Sequence, residues 1–526
     1  MFVRIPCNLR QISTLLPTQT EGESYMIRQK NLSPQPVGST LVTAEPEPVA
    51  AQPELRQKDV EISAREKAIA LFHRTYSTVR GYRDFVDKSG VDISTIQRAD
   101  DFERIPIMTK EYIYQYPLED RLLDGRTMAN CYMMTATTGS TGKPILWPRD
   151  YQGDQALIGA FERLYRECFQ IDQRKTLHII QNFLSTTPGG MVMSQLSWAA
   201  SADHQMTTIT PGVDLDRAIL MIEEMGPSYD QIIISTYPPY LKAFLDRADE
   251  VGLTLANYCI KFVSTGEKFS EQFRDHVVSR LGNRAVREDI ISLYGCTEAG
   301  LVGAETPFSI ALAQAAVDSS ELADHLFGTT EIPNIMAYNP MSKYVETVGA
   351  SPQFQEILIT AEQPAPLIRF NIHDRGGILL GSDIQQTIRD HNLFLSMPAD
   401  DARFVYVFGR SDSVFLRAAA VYIEEIRYCL ENSRFSQRFT GEFQYGSKTD
   451  AQFEEELNVV VHLQQNCTLT SAEQDEFHQE FWDNLRVINP TLLLFDEAML
   501  HAGMLKISFG NGSNQIERFG KYKYFL

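Results

Sequence analysis

Between residues 230 and 300 the chain alternates short runs of β-branched apolar residues with amphipathic stretches of helix length. Ile232-Ile233-Ile234 predicts a strand, Pro239 to Val251 a helix, Cys259 to Val263 a strand, Ser270 to Leu281 a helix and Ile290 to Leu293 a strand. This β-α-β-α-β order is the pattern of a buried parallel sheet, and it places the chain in the α/β class. Each predicted strand ends in small or polar residues: Ser235-Thr236, then Ser264-Thr265-Gly266-Glu267, then Tyr294-Gly295-Cys296-Thr297-Glu298. In parallel sheets ligands collect outside the carboxyl ends of the strands, so the three ends predict one polar crevice.

The pattern changes after Gly409. Helical periodicity from Tyr422 to Leu430, strands at Phe439 to Tyr445 and Leu457 to Leu463, a helix from Ser471 to Leu485 and a last strand from Met504 to Ser508 predict a small α+β unit. At the other end, Pro34, Pro36, Pro46, Pro48 and Pro53 punctuate a polar stretch without apolar periodicity. The expected organisation is a disordered arm over residues 1–58, a large domain with parallel-sheet βαβ units over 59–409, and a small mobile α+β domain over 410–526. Order is expected to begin at the capping-box pattern Ser63-Ala64-Arg65-Glu66.

Composition narrows the partners. The 526 residues are 43% apolar and 22% charged, as in soluble folded proteins, and a net charge of −20 argues against nucleic acid and anionic lipid as partners. The seven cysteines are scattered, with no C-x-x-C spacing, and the ten histidines form no H-E-x-x-H pair. No apolar run is long enough to span a membrane, and unpaired thiols fit a reducing compartment, so a cytoplasmic enzyme or binding protein is expected.

The densest local signal is Thr135-Ala136-Thr137-Thr138-Gly139-Ser140-Thr141-Gly142-Lys143-Pro144. Hydroxyls and glycine-exposed N–H groups in one loop can wrap phosphate oxygens. It is not a Walker A loop, because only two residues separate Gly139 from Gly142 and Pro144 follows Lys143. On its own, such a stretch also fits an ordinary turn.

Four further stretches follow in order. With Tyr294-Gly295-Cys296-Thr297-Glu298, Leu367-Ile368-Arg369-Phe370 running to Asp374, Phe408-Gly409-Arg410-Ser411-Asp412, and Gly520-Lys521, the loop resembles the signature set of the adenylate-forming enzymes. These are the acyl-CoA synthetases, peptide-synthetase adenylation domains and luciferases, and the resemblance is closest to the phenylacetate-CoA ligase branch. It covers residues 60–526 and implies an ATP-dependent ligase that forms an acyl-adenylate, releases pyrophosphate and transfers the acyl group to a thiol such as coenzyme A. The partners it implies are a small-molecule carboxylic acid, ATP with Mg²⁺, and a thiol or amine acceptor. It further implies that Thr137, Thr138, Gly139, Ser140, Thr141, Gly142 and Lys143 hold the leaving phosphates. Tyr294 and Gly295 would cover the adenine, Thr297 would contact the α-phosphate and Glu298 would ligate Mg²⁺. Asp374 and Arg410 would hold the ribose, Asp412 would be the hinge and Lys521 the mobile catalytic lysine.

Each residue has a plainer reading. Glu298 could cap a helix, Asp374 could be a turn residue ahead of Arg375-Gly376-Gly377, and Lys523 could stand in for Lys521. His373 reads as structural and Cys296 as a packed thiol. One departure bears on the acceptor: coenzyme A ligases carry a glycine, an asparagine and a proline after the hinge, and Leu416-Arg417-Ala418-Ala419-Ala420-Val421-Tyr422-Ile423 has none of them. An amide-forming ligase acting on an amino acid or amine is therefore the alternative enzyme. A nucleotide-binding regulator with a decayed site is the alternative of another class.

Overall fold

The apolar runs between 230 and 300 are strands whose alternate side chains enter two different cores, which is why they carry few polar positions. In the computed structural model, which describes residues 57–137, 145–186, 188–349, 355–410, 413–417, 419–450, 452–465, 467–494 and 500–511, these strands are Gln231–Thr236, Ile260–Thr265 and Ile290–Cys296. They pair in parallel, and helices Pro238–Val251 and Glu271–Leu281 make the crossovers. Ile232, Ile234 and Phe262 pack against Leu241 and Phe244 on one face, while Ile233, Val263 and Ile291 pack against Phe161 and Leu196 on the other. Local chemistry sets the helix ends: Ser270 Oγ accepts from the Phe273 N–H at 3.2 Å, and Gly252 at φ 79° stops the first crossover helix after Val251.

Two more parallel strands, Thr176–Ile180 and Met206–Ile209, extend this half of the sheet. Beyond Ile290–Cys296 the sheet becomes antiparallel, in the order Gly300–Ala304, Asn334–Tyr338, Arg403–Arg410, Leu367–Leu380, Glu356–Ala361 and Lys343–Val348. Among the described residues the sheet has 11 strands. The expectation of a parallel sheet therefore holds for one half and needs the antiparallel half added. That half is less regular in sequence, because three of its antiparallel pairings carry register shifts, one of them between Arg375 and Gly376 in its longest strand.

The C-terminal α+β unit has the predicted elements. A separate three-stranded sheet of Phe439–Thr449, Glu455–Leu463 and Leu505–Asn511 is covered by helices Ile423–Glu431 and Ser471–Ile488. Phe477, Phe481 and Trp482 of the longer helix join Tyr445, Leu457 and Val459 of the sheet in one core. The first helix spans Gln57–Thr78, so regular structure begins six residues before Ser63 and the Ser63–Glu66 capping box is not used. Ala64, Ala68 and Phe72 are buried along that helix, and this tertiary contact outweighs the local cap signal. Among the described residues no helix is long and apolar enough to cross a membrane.

One charged cluster ties a crossover helix to the centre of the sheet. Arg274 is fully buried; it donates to Glu271 Oε2 at 2.9 Å, to Glu305 Oε1 at 2.8 Å and to the Ile290 carbonyl. Glu305 also accepts from the Ser292 N–H at 2.7 Å and from Asn334 Nδ2 at 3.0 Å. Burial works against the Arg274 charge, but Glu305 and Glu271 outweigh it and hold the guanidinium above its ordinary pKa. Arg274→Met would leave two buried carboxylates without their cation, so a loss of about 3–5 kcal/mol is expected in urea unfolding. Loss below about 1 kcal/mol would show that the cluster is not holding the helix to the sheet.

Candidate functional site

Two of the three predicted strand ends meet in one crevice, and Ser235 and Thr236 do not line it. A cavity of about 1260 Å³ is lined by Gly266 and Glu267 from the end of Ile260–Thr265 and by Tyr294 to Glu298 from the end of Ile290–Cys296. Its outer wall comes from the C-terminal unit, with Tyr422, Gln444 and Glu455 facing in.

Thr297 and Glu298 lie on the tight turn between Ile290–Cys296 and Gly300–Ala304, closed by the pairing of Cys296 with Gly300. There is no helix after Gly295, so Glu298 is not a helix cap. A Cβ on Gly295 would come within 2.5 Å of the Gly300 carbonyl oxygen, and Gly300 itself sits at φ 67°. Two glycines thus allow the turn that presents both side chains. The Glu298 side chain is buried, and no described cation pairs with it. Cys296 accepts from the Ala299 N–H at 3.3 Å, and burial, with Glu298 nearby, pushes its thiol far above the ordinary range. It stays protonated, in keeping with a packed thiol rather than a nucleophile.

Tyr294 donates to Asp374 Oδ2 at 2.8 Å, joining positions 80 residues apart. Burial, followed by the Asp374 charge, raises the tyrosine hydroxyl far above its ordinary pKa, so it remains a donor. Asp374 is not a turn residue. It lies within Leu367–Leu380 and stands opposite Arg410 in the adjacent strand. His373, at φ 63°, turns its Nδ1 toward Glu356 Oε1 at 3.4 Å. The predicted Tyr294, Thr297, Glu298, Asp374 and Arg410 therefore line one crevice, together with Gly295.

Thr137 reaches the same crevice. Its N–H donates to the Ile145 carbonyl at 3.0 Å and its Oγ1 accepts from the Ile145 N–H at 3.1 Å, pinning the two ends of the hydroxyl-rich loop to a hairpin of Met133–Ala136 and Leu146–Arg149. Thr138, Gly139, Ser140, Thr141, Gly142, Lys143, Asp412 and Lys521 lie outside the described residues. Two site residues carry no local sequence signal. Lys110 Nζ stands 5.6 Å from the centre of the Tyr422 ring, and the Arg410 guanidinium stands 5.7 Å from it, so Tyr422 is held by two cations.

The C-terminal unit meets the large sheet's helices through charge and aromatic contacts. Glu454 pairs with Lys242 of Pro238–Val251 and with Arg417, and Lys242 also pairs with Asp246 at 2.7 Å. Burial would raise the Glu454 carboxyl, but Lys242 and Arg417 more than offset this and hold it below its ordinary range. Phe453 packs on Phe273 and His276 with ring centres 5.4 and 4.7 Å apart.

This donor set fits a magnesium-bound nucleotide. Glu298 is a buried carboxylate with no described cation beside it, and Asp374 and Arg410 can accept from and donate to a sugar. A cation bound mainly by phosphate oxygens with one carboxylate is how Mg²⁺ is commonly held at nucleotide sites.

No protein-family model matches the sequence, and no curated protein matches it. Solved structures do. A 2-hydroxyisobutyryl-CoA ligase in complex with 2-HIB-AMP and CoA, in its thioesterification state, is 15% identical over 90% of this chain and 91% of that one, with a TM-score of 0.60. The same ligase in an open conformation with 2-HIB-AMP and CoA gives 14% identity over 90% and 92%, TM-score 0.52, and in the postadenylation state with R3-HIB-AMP 14% over 91% and 93%, TM-score 0.51. At this identity the likeness establishes a fold shared with that ligase.

The turn geometry gives a direct check. Gly295→Ala, which forces a Cβ against the Gly300 carbonyl, is expected to lower stability by about 1–3 kcal/mol in urea unfolding. Gly159→Ala, in a helix with nothing within 4 Å of the new Cβ, is expected to leave stability unchanged or raise it by about 1 kcal/mol. Equal behaviour of the two variants would mean the turn relaxes around the added methyl.

Proposed function

We propose that this chain is an adenylate-forming ligase of the phenylacetate-CoA ligase-like branch. It activates a carboxylic acid with Mg·ATP, releases pyrophosphate, and passes the acyl group to a thiol such as coenzyme A. The observation that carries the reading is the convergence in one crevice of Tyr294 bonded to Asp374, Arg410 opposite Asp374, and the turn bearing Thr297 and Glu298. A decayed nucleotide-binding regulator would have no need to keep the buried Glu298 without a described counter-charge, since such a group has a large desolvation cost.

Bound Mg·ATP would supply the electrophilic phosphorus and the leaving pyrophosphate. The chain's residues orient and neutralise. Glu298 would hold the metal, Thr297 would donate to the α-phosphate, Asp374 would accept from the ribose hydroxyls while Arg410 donates to the same sugar, and Tyr294 would close over the base. Thr137 anchors the loop of residues 138–144, whose hydroxyls and Lys143 are expected on the leaving phosphates. Lys521 is expected between the acid's carboxylate and the α-phosphate, and Asp412 at a hinge about which the 410–526 unit turns. The free thiols among the described cysteines support a cytoplasmic setting.

A second reading keeps one observation in its favour. The segment after the hinge forms a tight hairpin, Ser413–Leu416 with Ala419–Tyr422, and puts Tyr422 in the crevice with a cation on either hand. An amine is a smaller acceptor than coenzyme A and would tolerate this bulk.

Acid-dependent exchange of pyrophosphate into ATP tests the enzyme readings against the regulator. Glu298→Gln is expected to suppress exchange by at least ~10²-fold without loss of fold, and near-normal exchange would remove Glu298 from the site. Lys521→Ala is expected to abolish ATP-dependent activation while acyl transfer from synthetic acyl-AMP to the acceptor stays within about threefold of normal, because its charge serves only while the adenylate forms. Equal loss of both half-reactions would remove this division of labour.

A further inference from the structure

The strand Leu367–Leu380 brings Asp374 to the crevice by an irregular route. Against Glu356–Ala361 it pairs Asn371 with Leu358 and Arg375 with Glu356, so Ile372, His373 and Asp374 together stand against Ile357. The backbone bulges there, and His373, at φ 63°, makes the left-handed step within it. Glycine takes that conformation freely, whereas a residue with a Cβ is strained in it. Such a residue persists where its surroundings over-determine it.

The surroundings are a clamp of polar side chains. Asn371 Oδ1 accepts from the His373 N–H at 2.8 Å, and Asn371 Nδ2 donates to Glu356 Oε2 at 2.7 Å. The other oxygen of that carboxylate, Glu356 Oε1, lies 3.4 Å from His373 Nδ1. Glu356 opens the neighbouring strand, so one carboxylate there holds the bulge at both Asn371 and His373. The chain is fixed again on either side. Phe370 and Ile372 are buried in the core, while Asp374 stands opposite Arg410 and accepts from Tyr294 at 2.8 Å. The left-handed step is therefore the turn of backbone between a core anchor and the carboxylate that lines the crevice. Asn371, His373 and Glu356 are not among the residues lining it, so whatever they do there they do through Asp374.

We infer that Asn371, His373 and Glu356 are positioning residues for Asp374, and that the conformation they hold sets a preference for a ribonucleotide over a nucleotide lacking the sugar hydroxyls. The inference rests on the reading of Asp374 as acceptor from the ribose. Tyr294 orients the carboxylate from one side and the clamped backbone orients it from the other. Relaxation of His373 to the extended region would turn the peptide that carries Asp374, and the carboxylate would leave both the tyrosine and the sugar. Contacts to phosphate and base do not pass through this carboxylate, so the loss falls on recognition of the hydroxyls.

The test is calorimetric titration of the full chain with Mg·ATP and with Mg·2′,3′-dideoxy-ATP, with urea unfolding of each variant as the check on folding. The unaltered protein is expected to bind ATP at least about tenfold more tightly, because hydrogen bonds to a carboxylate are at stake. Glu356→Ala is expected to cut that preference to about threefold or less while dideoxy-ATP affinity changes by less than about threefold. His373→Gly and His373→Ala both remove the imidazole, but glycine alone takes the left-handed conformation without strain, so His373→Gly is expected to keep a preference at least about threefold larger than His373→Ala. No sugar preference in the unaltered protein, equal weakening of both nucleotides in folded Glu356→Ala, or His373→Ala as discriminating as His373→Gly would each overturn the inference. Should Glu356→Ala fail to fold, the two His373 variants decide. Pyrophosphate exchange over a panel of carboxylic acids separates this from the ligase reading. Exchange without any sugar preference would overturn the clamp and leave the ligase standing. A clamp-dependent sugar preference without exchange for any acid would support the clamp and remove the ligase.

Discussion

The candidate site depends on a buried cation that takes no part in it. Arg274 lies between Glu271 on its own helix and Glu305 beyond the strand Gly300–Ala304, and Glu305 in turn holds the Ser292 N–H and Asn334. Strands Ile290–Cys296 and Asn334–Tyr338 are thereby fixed to one carboxylate on either side of the turn that carries Thr297 and Glu298. Apolar packing could hold the helix to the sheet, but it is non-directional and would tolerate small slips along the strand. A cluster of charge-assisted hydrogen bonds does not, because every displacement leaves a buried group unmatched. The turn needs that fixity, since a shift of one residue would turn Thr297 and Glu298 off the crevice.

Much of this was legible in the chain before any coordinates, and the part that was legible has a common cause. The parallel half of the sheet is buried on both faces, so the middles of its strands are largely apolar and stand out as Ile232-Ile233-Ile234 does. Residues at its strand ends have to be polar where they meet a ligand, and that is what marked Tyr294 to Glu298. The antiparallel half gave only its motif, Leu367 to Asp374, because register shifts and close-approach glycines break its alternation. Asp374 could be read as a turn residue for that reason: only the strand across from it, ending in Arg410, shows that the chain stays extended. Lys110 and Tyr422 were not legible at all. Their relation exists only once the segment after the hinge folds back on the crevice, and neither is part of a local pattern.

The start of the first helix failed for the opposite reason. Ser63-Ala64-Arg65-Glu66 is a sound local cap, but Ala64 is buried and the helix continues back through it to Gln57. Local preference of about 1 kcal/mol is outweighed whenever a helix face has a core to cover.

The way the C-terminal unit is held bears on how such a crevice can serve two different reactants. Its own core, built on Phe477, Phe481 and Trp482, is separate from the cores of the large sheet, and only Tyr237, Tyr240 and a few neighbours bridge across. The other contacts include the Lys242–Glu454 pair, the Phe453 ring on Phe273 and His276, and Lys110 and Arg410 beside the Tyr422 ring. Glu454 is half-exposed, so water can replace its partners at little cost, and the aromatic contact is small beside either core. Such an interface can be released without loosening what it joins. Arg410 is the last residue of its strand and touches both units: it stands opposite Asp374 within the sheet and near the Tyr422 ring beyond it. Under the proposed reading, a turn of the C-terminal unit would carry Tyr422 away from Arg410 and leave its place opposite Asp374 unchanged, so one guanidinium would stay at the sugar while the wall in front of it changes.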